Sequence, residues 1–210
     1  MQGLYLVTPN WDDTDRLLAI TEQALQAGSD NIALVQYRHK DAGPAQRLEQ
    51  ATALLALCRR YGVPFIVNDF VDLCQQIDAD GVHVGGTDAG VAAVRSQLGP
   101  DKIVGASCYG DLALAVAAQD DGASYVAFGG FYPSLVKQYD FVTAPALLDQ
   151  ARAVIRVPTV VIGGMTPENA APLAARGADM VAAITSVYQA ESVAQAVHAF
   201  AALFFERTAQ

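Results

Sequence analysis

Positive charge is scarce in this chain. Its 210 residues hold 13 lysines and arginines against 22 aspartates and glutamates, a formal net charge of −9. Such a surface repels polyanions, so neither nucleic acid nor an anionic membrane is an expected partner. Long apolar runs are missing too: no stretch approaches the roughly 20 uncharged apolar residues of a membrane-spanning helix. The first apolar run, Gly3-Leu-Tyr-Leu-Val-Thr8, is too short for a signal-sequence core and has no basic segment before it. The expected location is the cytoplasm. Cysteine is limited to Cys58, Cys74 and Cys108, an odd number in apolar contexts without metal-binding spacing. They are expected to be buried, reduced thiols. Linkers, low-complexity tracts and a Gly-x-Gly-x-x-Gly fingerprint after the first strand are also absent.

What the chain does have is alternation. Candidate strands lie at 3–8, 31–38, 64–69, 81–85, 102–108, 125–130, 158–164 and 180–186. Most are near-continuous apolar runs, as in parallel strands buried on both faces. Amphipathic Ala/Leu-rich segments separate them, for instance Asp15 to Ala27 and Pro44 to Tyr61. Asp12, Asp111 and Thr166 are expected helix caps, and Thr166-Pro167-Glu168 adds proline at the first helical position and an acid in the first turn. A weak repeat joins Ala27-Gly-Ser-Asp-Asn-Ile-Ala, Asp78-Ala-Asp-Gly-Val, Asp121-Gly-Ala-Ser-Tyr-Val and Arg176-Gly-Ala-Asp-Met-Val. Each reads as a helix end running into a strand, with Gly28, Gly122 and Gly177 at the left-handed cap. Eight such strand–helix units predict an α/β fold, a compact (β/α)8 TIM barrel forming a single domain over residues 1–210. A doubly wound open sheet is the alternative; the strand count and the missing glycine fingerprint disfavour it.

A barrel places its chemistry at the C-terminal strand ends. Strand 2 ends Val35-Gln-Tyr-Arg-His-Lys40, and alternation puts Gln36, Arg38 and Lys40 on one side. Two cations at one tip suit a phosphate or pyrophosphate; incidental charges on a solvated strand end are the alternative. Strand 3, within Val63-Pro-Phe-Ile-Val-Asn-Asp69, ends in Asn68 and Asp69. Strand 4 is Gly81-Val-His-Val-Gly85, with Asp88 shortly after it. Asp69 and Asp88 could share one hard cation, since Mg²⁺ takes one or two carboxylates plus phosphate oxygens and water; both could instead be helix caps. His83 sits within a strand pattern and reads as a satisfied core histidine. Ser107, at the end of strand 5, could donate to a phosphate or cap the next helix, and no base is paired with it. The long segment after strand 6 carries Ser134 and Lys137, as binding loops do. Gly163-Gly164 after strand 7 and Ile184-Thr185 after strand 8 suit a backbone phosphate cup, a device shared by many barrels.

Six of these pieces, in order along the chain, resemble the thiamine phosphate synthase family. They are Val35-Gln-Tyr-Arg-His-Lys40, Ile66-Val-Asn-Asp69, Gly81-Val-His-Val-Gly with Asp88, Gly105-Ala-Ser-Cys-Tyr, Pro133-Ser-Leu-Val-Lys137 and Ile162-Gly-Gly-Met. The resemblance implies a transferase that couples hydroxymethylpyrimidine diphosphate to a thiazole phosphate and releases pyrophosphate. It implies pyrimidine diphosphate contacts from Gln36, Arg38, Lys40, Asn68, Ser107 and Lys137, with Arg38, Lys40, Ser107 and Lys137 assisting the leaving group. Asp69 and Asp88 would hold Mg²⁺. Ser134, Val136, Gly164, Ile184 and Thr185 would hold the thiazole phosphate. Three positions depart from the family pattern: Phe70 stands where arginine is common, Gly86 where glutamine is usual, and Val136 where a hydroxyl residue is usual. Small phosphorylated molecules are the expected partners, with a homodimer as an open alternative to a monomer. The competing readings are a metal-free thiazole phosphate isomerase on a similar barrel, a non-catalytic thiamine or thiazole phosphate binder, and another barrel lyase or aldolase. No lysine inside a strand supports the last of these.

Overall fold

The computed structural model describes residues 1–85, 90–133 and 141–205. Its strands are β1 (Gly3–Val7), β2 (Ile32–Tyr37), β3 (Phe65–Asn68), β4 (Gly81–Gly85), β5 (Ile103–Tyr109), β6 (Tyr125–Gly129), β7 (Thr159–Ile162) and β8 (Met180–Ala183). Consecutive strands pair in parallel, and β8 closes on β1, so the sheet is a closed barrel. The helices are α1 (Thr14–Gly28), α2 (Pro44–Tyr61), α3 (Val71–Gln76), α4 (Val91–Leu98), α5 (Leu112–Asp120), α6 (Ala146–Val154), α7 (Pro167–Ala175), α8 (Thr185–Tyr188) and α9 (Val193–Phe205). Among the described residues no helix is long and apolar enough to cross a membrane.

Two hydrophobic layers follow from the period-2 geometry of the strands. One face of each strand packs outward against the helices. The other fills the barrel with Tyr5, Leu34, Ile66, Tyr125, Val160 and Met180, among others. The two tyrosines are fully buried and meet edge to face, with centroids 5.6 Å apart and planes at 88°. Room for Tyr125 comes from Gly105, its register partner on β5: a Cβ there would lie 2.0 Å from the Tyr125 ring. Glycine at that point of β5 is thus a packing requirement rather than a turn.

The weak repeat has a physical basis at the opposite, N-terminal rim. Asp80 accepts from the backbone N–H of Phe65 (2.7 Å), Ser124 from that of Val104 (3.1 Å) and Asp179 from that of Thr159 (2.9 Å). Each polar residue sits just before its own strand and anchors the start of the preceding one. These N–H groups would otherwise be buried donors in need of partners.

Helix caps agree with the sequence pattern in part. Asp111 accepts from Ala113 and Leu114 N–H, and Thr166 forms a reciprocal capping box with Asn169. The cap of α1 is Asp13, which accepts from Arg16 N–H, and not Asp12. Asp12 is taken instead by His39 Nε2 at 3.1 Å and Gln46 Nε2 at 3.2 Å. Gly122 and Gly177 have the expected left-handed φ of 92° and 109°. Gly28 does not: its φ is −178°, because α1 runs on into a 3-10 turn over Ser29–Asn31. The eighth strand stops at Ala183, since Ile184 turns to φ −120°, ψ −87° at the N-cap of α8.

Candidate active site

The β2 and β3 tips converge at the mouth of the barrel. Gln36 is buried within it, and its Nε2 donates to the Tyr5 hydroxyl at 2.6 Å. Arg38 follows on the same side and is also buried, although it is an arginine. Its backbone N–H donates to Thr8 Oγ1 (2.8 Å), and its Nη1 donates to Asn10 Oδ1 (3.3 Å). Lys40 emerges into solvent, with 57% of its side chain exposed, and its Nζ stands 3.8 Å from Asp69 Oδ2. Asn68, buried on β3, donates from Nδ2 to the same Asp69 oxygen at 2.6 Å.

Asp69 is held in an uncommon backbone state. Its φ is +64°, and its N–H donates to the His83 carbonyl at 2.9 Å. A left-handed aspartate at a strand tip costs backbone energy, and such residues concentrate at functional sites. The helix-cap reading of Asp69 fails here: α3 follows Phe70 and has no side-chain cap. One Asp69 oxygen thus meets an amide and an ammonium, while the carboxylate stays partly exposed.

As a metal ligand Asp69 has suitable chemistry, an oxygen donor facing the mouth beside groups fitted for phosphate. Asp88, the expected second ligand, lies outside the described residues, as do Ser134, Val136 and Lys137. Among the described residues no group of three or more His, Cys, Asp or Glu could hold a metal ion.

Phe70 carries the Arg47 guanidinium over its ring, 3.5 Å from the centroid. Arg47 also donates from Nη2 to the Ala42 carbonyl at 2.8 Å, in the segment that bears Lys40. Asp69, Phe70 and Arg47 line a cavity of about 650 Å³. A guanidinium therefore still borders the Asp69 segment, but it comes from α2. Gly86 lies outside the described residues.

Around the barrel, Ser107 is buried on β5, and its Oγ is 2.8 Å from His83 Nε2, so an imidazole does stand beside it, contrary to the expectation that no base is paired with it; strand register, not sequence spacing, brings the two together. His83 is, as expected, a hydrogen-bonded interior histidine; its Nδ1 is 2.9 Å from the Tyr125 hydroxyl. On the far side Gly164 has φ +63°, and a Cβ there would meet the Pro133 carbonyl oxygen at 2.2 Å. The Gly164 carbonyl accepts from Asn169 Nδ2 at 2.8 Å, so the α7 cap also holds this turn. Ile184 packs against the barrel interior, and Thr185 opens α8. Phe131 is buried, and Tyr132 donates to the Asn169 carbonyl at 2.9 Å, which fixes the start of the β6 loop.

Sequence reasoning missed Tyr5, Tyr125 and Asn10. Tyr5 and Tyr125 share the inward parity of Gln36 and Ser107, but only strand register reveals that they meet. The three cysteines are free and buried, as expected.

Residues 4–187 match the family model TMP-TENI, thiamine monophosphate synthase. The chain is 62% identical over 204 residues to a thiamine-phosphate synthase of Janthinobacterium sp. (strain Marseille), covering 97% of each protein. It is 50% identical over 202 residues to one of Thiobacillus denitrificans, covering 96% of this chain and 94% of the relative. Its fold superposes with a TM-score of 0.83 on a thiamine phosphate pyrophosphorylase of Pyrococcus furiosus, at 29% identity and covering 98% and 96% of the two chains. The chain belongs to the thiamine monophosphate synthase family and is a transferase of that type.

Proposed function

We propose that this enzyme joins hydroxymethylpyrimidine diphosphate to a thiazole phosphate, with Mg²⁺, releasing pyrophosphate and forming thiamine phosphate. The observation that carries the reading is the convergence of Arg38 and Lys40 with Asn68 and Asp69 at neighbouring strand ends. Cations, an amide and a carboxylate at adjacent strand ends are the kinds of group that a magnesium diphosphate requires, and this supports the reading.

The pyrimidine amino group can push electrons toward the departing diphosphate, so the reacting carbon becomes carbocation-like. The enzyme then needs charge stabilisation, positioning and water exclusion rather than a nucleophile. Buried Arg38 offers a fixed guanidinium to the diphosphate. Lys40 shifts from Asp69 to the incoming phosphate oxygens, a small change for a pair 3.8 Å apart and half in water. Asn68 and Ser107 act as hydrogen-bond donors, and Lys137 is the expected third cation. Asp69, with Asp88, would hold Mg²⁺, which supplies Lewis-acid stabilisation to the leaving group. The Gly164 turn, the Ile184–Thr185 backbone and the segment carrying Ser134 and Val136 would seat the thiazole phosphate, whose ring nitrogen captures the carbocation. The reading keeps the enzyme cytoplasmic and its partners small and phosphorylated, not nucleic acid.

The test is pyrophosphate release with purified protein. Release should require both substrates and Mg²⁺ together; none under those conditions overturns the reading. Asp69→Ala separates the transferase from a metal-free isomerase, abolishing the first activity and sparing the second.

A further inference from the structure

A chain of buried polar groups crosses the barrel beneath the mouth. Gln36 Nε2 donates to Tyr5 Oη (2.6 Å), Tyr5 Oη lies 2.6 Å from Tyr125 Oη, Tyr125 Oη 2.9 Å from His83 Nδ1, and His83 Nε2 2.8 Å from Ser107 Oγ. The groups come from β2, β1, β6, β4 and β5. Both ends are residues placed at the substrate, and the three between them touch no substrate in the reading above.

The protons in this chain can be counted. Burial pushes both phenols well above their ordinary value near 10, so each keeps its one proton at neutral pH. With the Gln36 amide nitrogen turned inward, Tyr5 accepts from Gln36 and its own proton can go only to Tyr125. Tyr125 has then accepted once, and its proton goes to His83 Nδ1. With a neutral imidazole, that leaves the His83 proton on Nε2, directed at Ser107 Oγ. Ser107 thus accepts from below, and its own proton is left for the mouth. The reverse order would strand the Tyr5 proton in the core, and a buried donor without an acceptor is destabilising. It becomes consistent only if the Gln36 amide flips.

We propose that Tyr5, Tyr125 and His83 are positioning residues forming a one-way hydrogen-bond relay. The relay presents the Gln36 carbonyl oxygen as an acceptor and the Ser107 hydroxyl as a donor to the same substrate. It ties the polarity of one contact to that of the other across the barrel, and a donor at Ser107 is what a departing diphosphate oxygen needs. The assignment to diphosphate rests on the function proposed above; the proton order does not.

The order is read from the tautomer of His83 by ¹⁵N nuclear magnetic resonance on the unliganded wild-type protein, with the ring assigned through its contacts to Tyr125 and Ser107. The expected result is a neutral ring protonated at Nε2 and bare at Nδ1. Protonation at Nδ1 alone means the relay runs from Ser107 to Gln36, and protonation at both nitrogens means it has no single direction; either result overturns the proposal. This measurement needs no turnover, so it stands or falls apart from the assigned reaction. Action through Ser107 is tested by a double-mutant cycle. Tyr125→Phe should lower kcat about tenfold, the scale of one misdirected donor, with the KM for thiazole phosphate unchanged. In a Ser107→Ala background the same change should cost less than about twofold. Equal losses in both backgrounds show that the relay does not work through Ser107.

Discussion

On the β2–β3 side of the barrel mouth the polar groups are side chains: Arg38 and Asn68 buried, Lys40 and Asp69 paired loosely at 3.8 Å. On the β7–β8 side they are backbone, shaped by a left-handed Gly164 and locked from behind by the Thr166–Asn169 capping box. The first side holds charge that can rearrange when a more highly charged group arrives. The second is neutral and braced by hydrogen bonds, so a ligand there would be recognised by shape and hydrogen-bond direction. A leaving group that gains charge during the reaction suits the first; a phosphate that is only a handle suits the second. The contrast predicts that damage to the charged side lowers kcat, while damage to the glycine side raises one KM.

The largest effect is expected from Asp69→Asn. Asparagine tolerates the left-handed backbone at φ +64° and can still accept from Asn68, so the fold is retained. What disappears is the carboxylate charge. We expect kcat to fall about a thousandfold, near 4 kcal/mol of transition-state stabilisation, with the urea midpoint almost unchanged. Activity within tenfold of wild type would remove Asp69 from the charged machinery.

Gly164→Ala attacks the other side. The new Cβ would press on the Pro133 carbonyl oxygen at 2.2 Å in a backbone state that L residues disfavour. Stability should fall by about 2 kcal/mol, and the KM for thiazole phosphate should rise roughly tenfold with the KM for the pyrimidine diphosphate held. A parallel rise in both constants would mean that the two sides are not separate sites.

The two sides were unequally legible in the sequence. Charged residues at a strand tip advertise themselves: alternation pointed to Gln36 and Arg38 at the β2 end, and Asn68 and Asp69 stand at the β3 tip, as the apolar run before them indicated. Glycines at β7 signal a tight turn but not what it faces. The eight strands followed from apolar runs, yet their ends shifted where a tip residue left the ladder, as Asp69 does by turning left-handed after Asn68. Asp12 and Asp13 could not be separated by pattern, because the choice depends on His39, brought close by the fold. The interior relay was hidden for the same reason: Tyr5 and Tyr125 are 120 residues apart, and their meeting requires barrel closure and the space left by Gly105.

Alkaline pH should weaken the fold through its buried thiols, two of which lie in the helices behind the charged side. Burial pushes the thiols of Cys58 on α2 up to about 12, Cys74 on α3 up to about 11 and Cys108 on β5 up to about 12. In the unfolded chain these thiols ionise near 9. Above that pH the unfolded chain binds fewer protons than the folded one, so stability falls as pH rises, from about 9 toward 11–12. Urea midpoints should be flat from pH 7 to about 8.5 and then decline. Replacing Cys58 and Cys74 together by alanine should lower the midpoint throughout but flatten the alkaline slope. An unchanged slope would assign the loss to Cys108 or to the buried phenols instead.

The smallest effect, and the finest test of the contrast, is Thr166→Ala. The hydroxyl accepts from Asn169 N–H at 3.3 Å, so its removal leaves one donor at the start of α7 without its cap, a loss of about 1 kcal/mol. Asn169 keeps its remaining bonds, Oδ1 from Thr166 N–H and Nδ2 to the Gly164 carbonyl, both at 2.8 Å. The turn that faces the phosphate should therefore hold its shape, and the KM for thiazole phosphate should move less than about threefold while the urea midpoint drops. Asn169→Ala removes both bonds and should raise that KM further than Thr166→Ala at a similar loss of stability. If the two variants shift KM equally, the shape of the glycine side is set by helix α7 as a whole, and the amide behind Gly164 has no separate role in holding the phosphate turn.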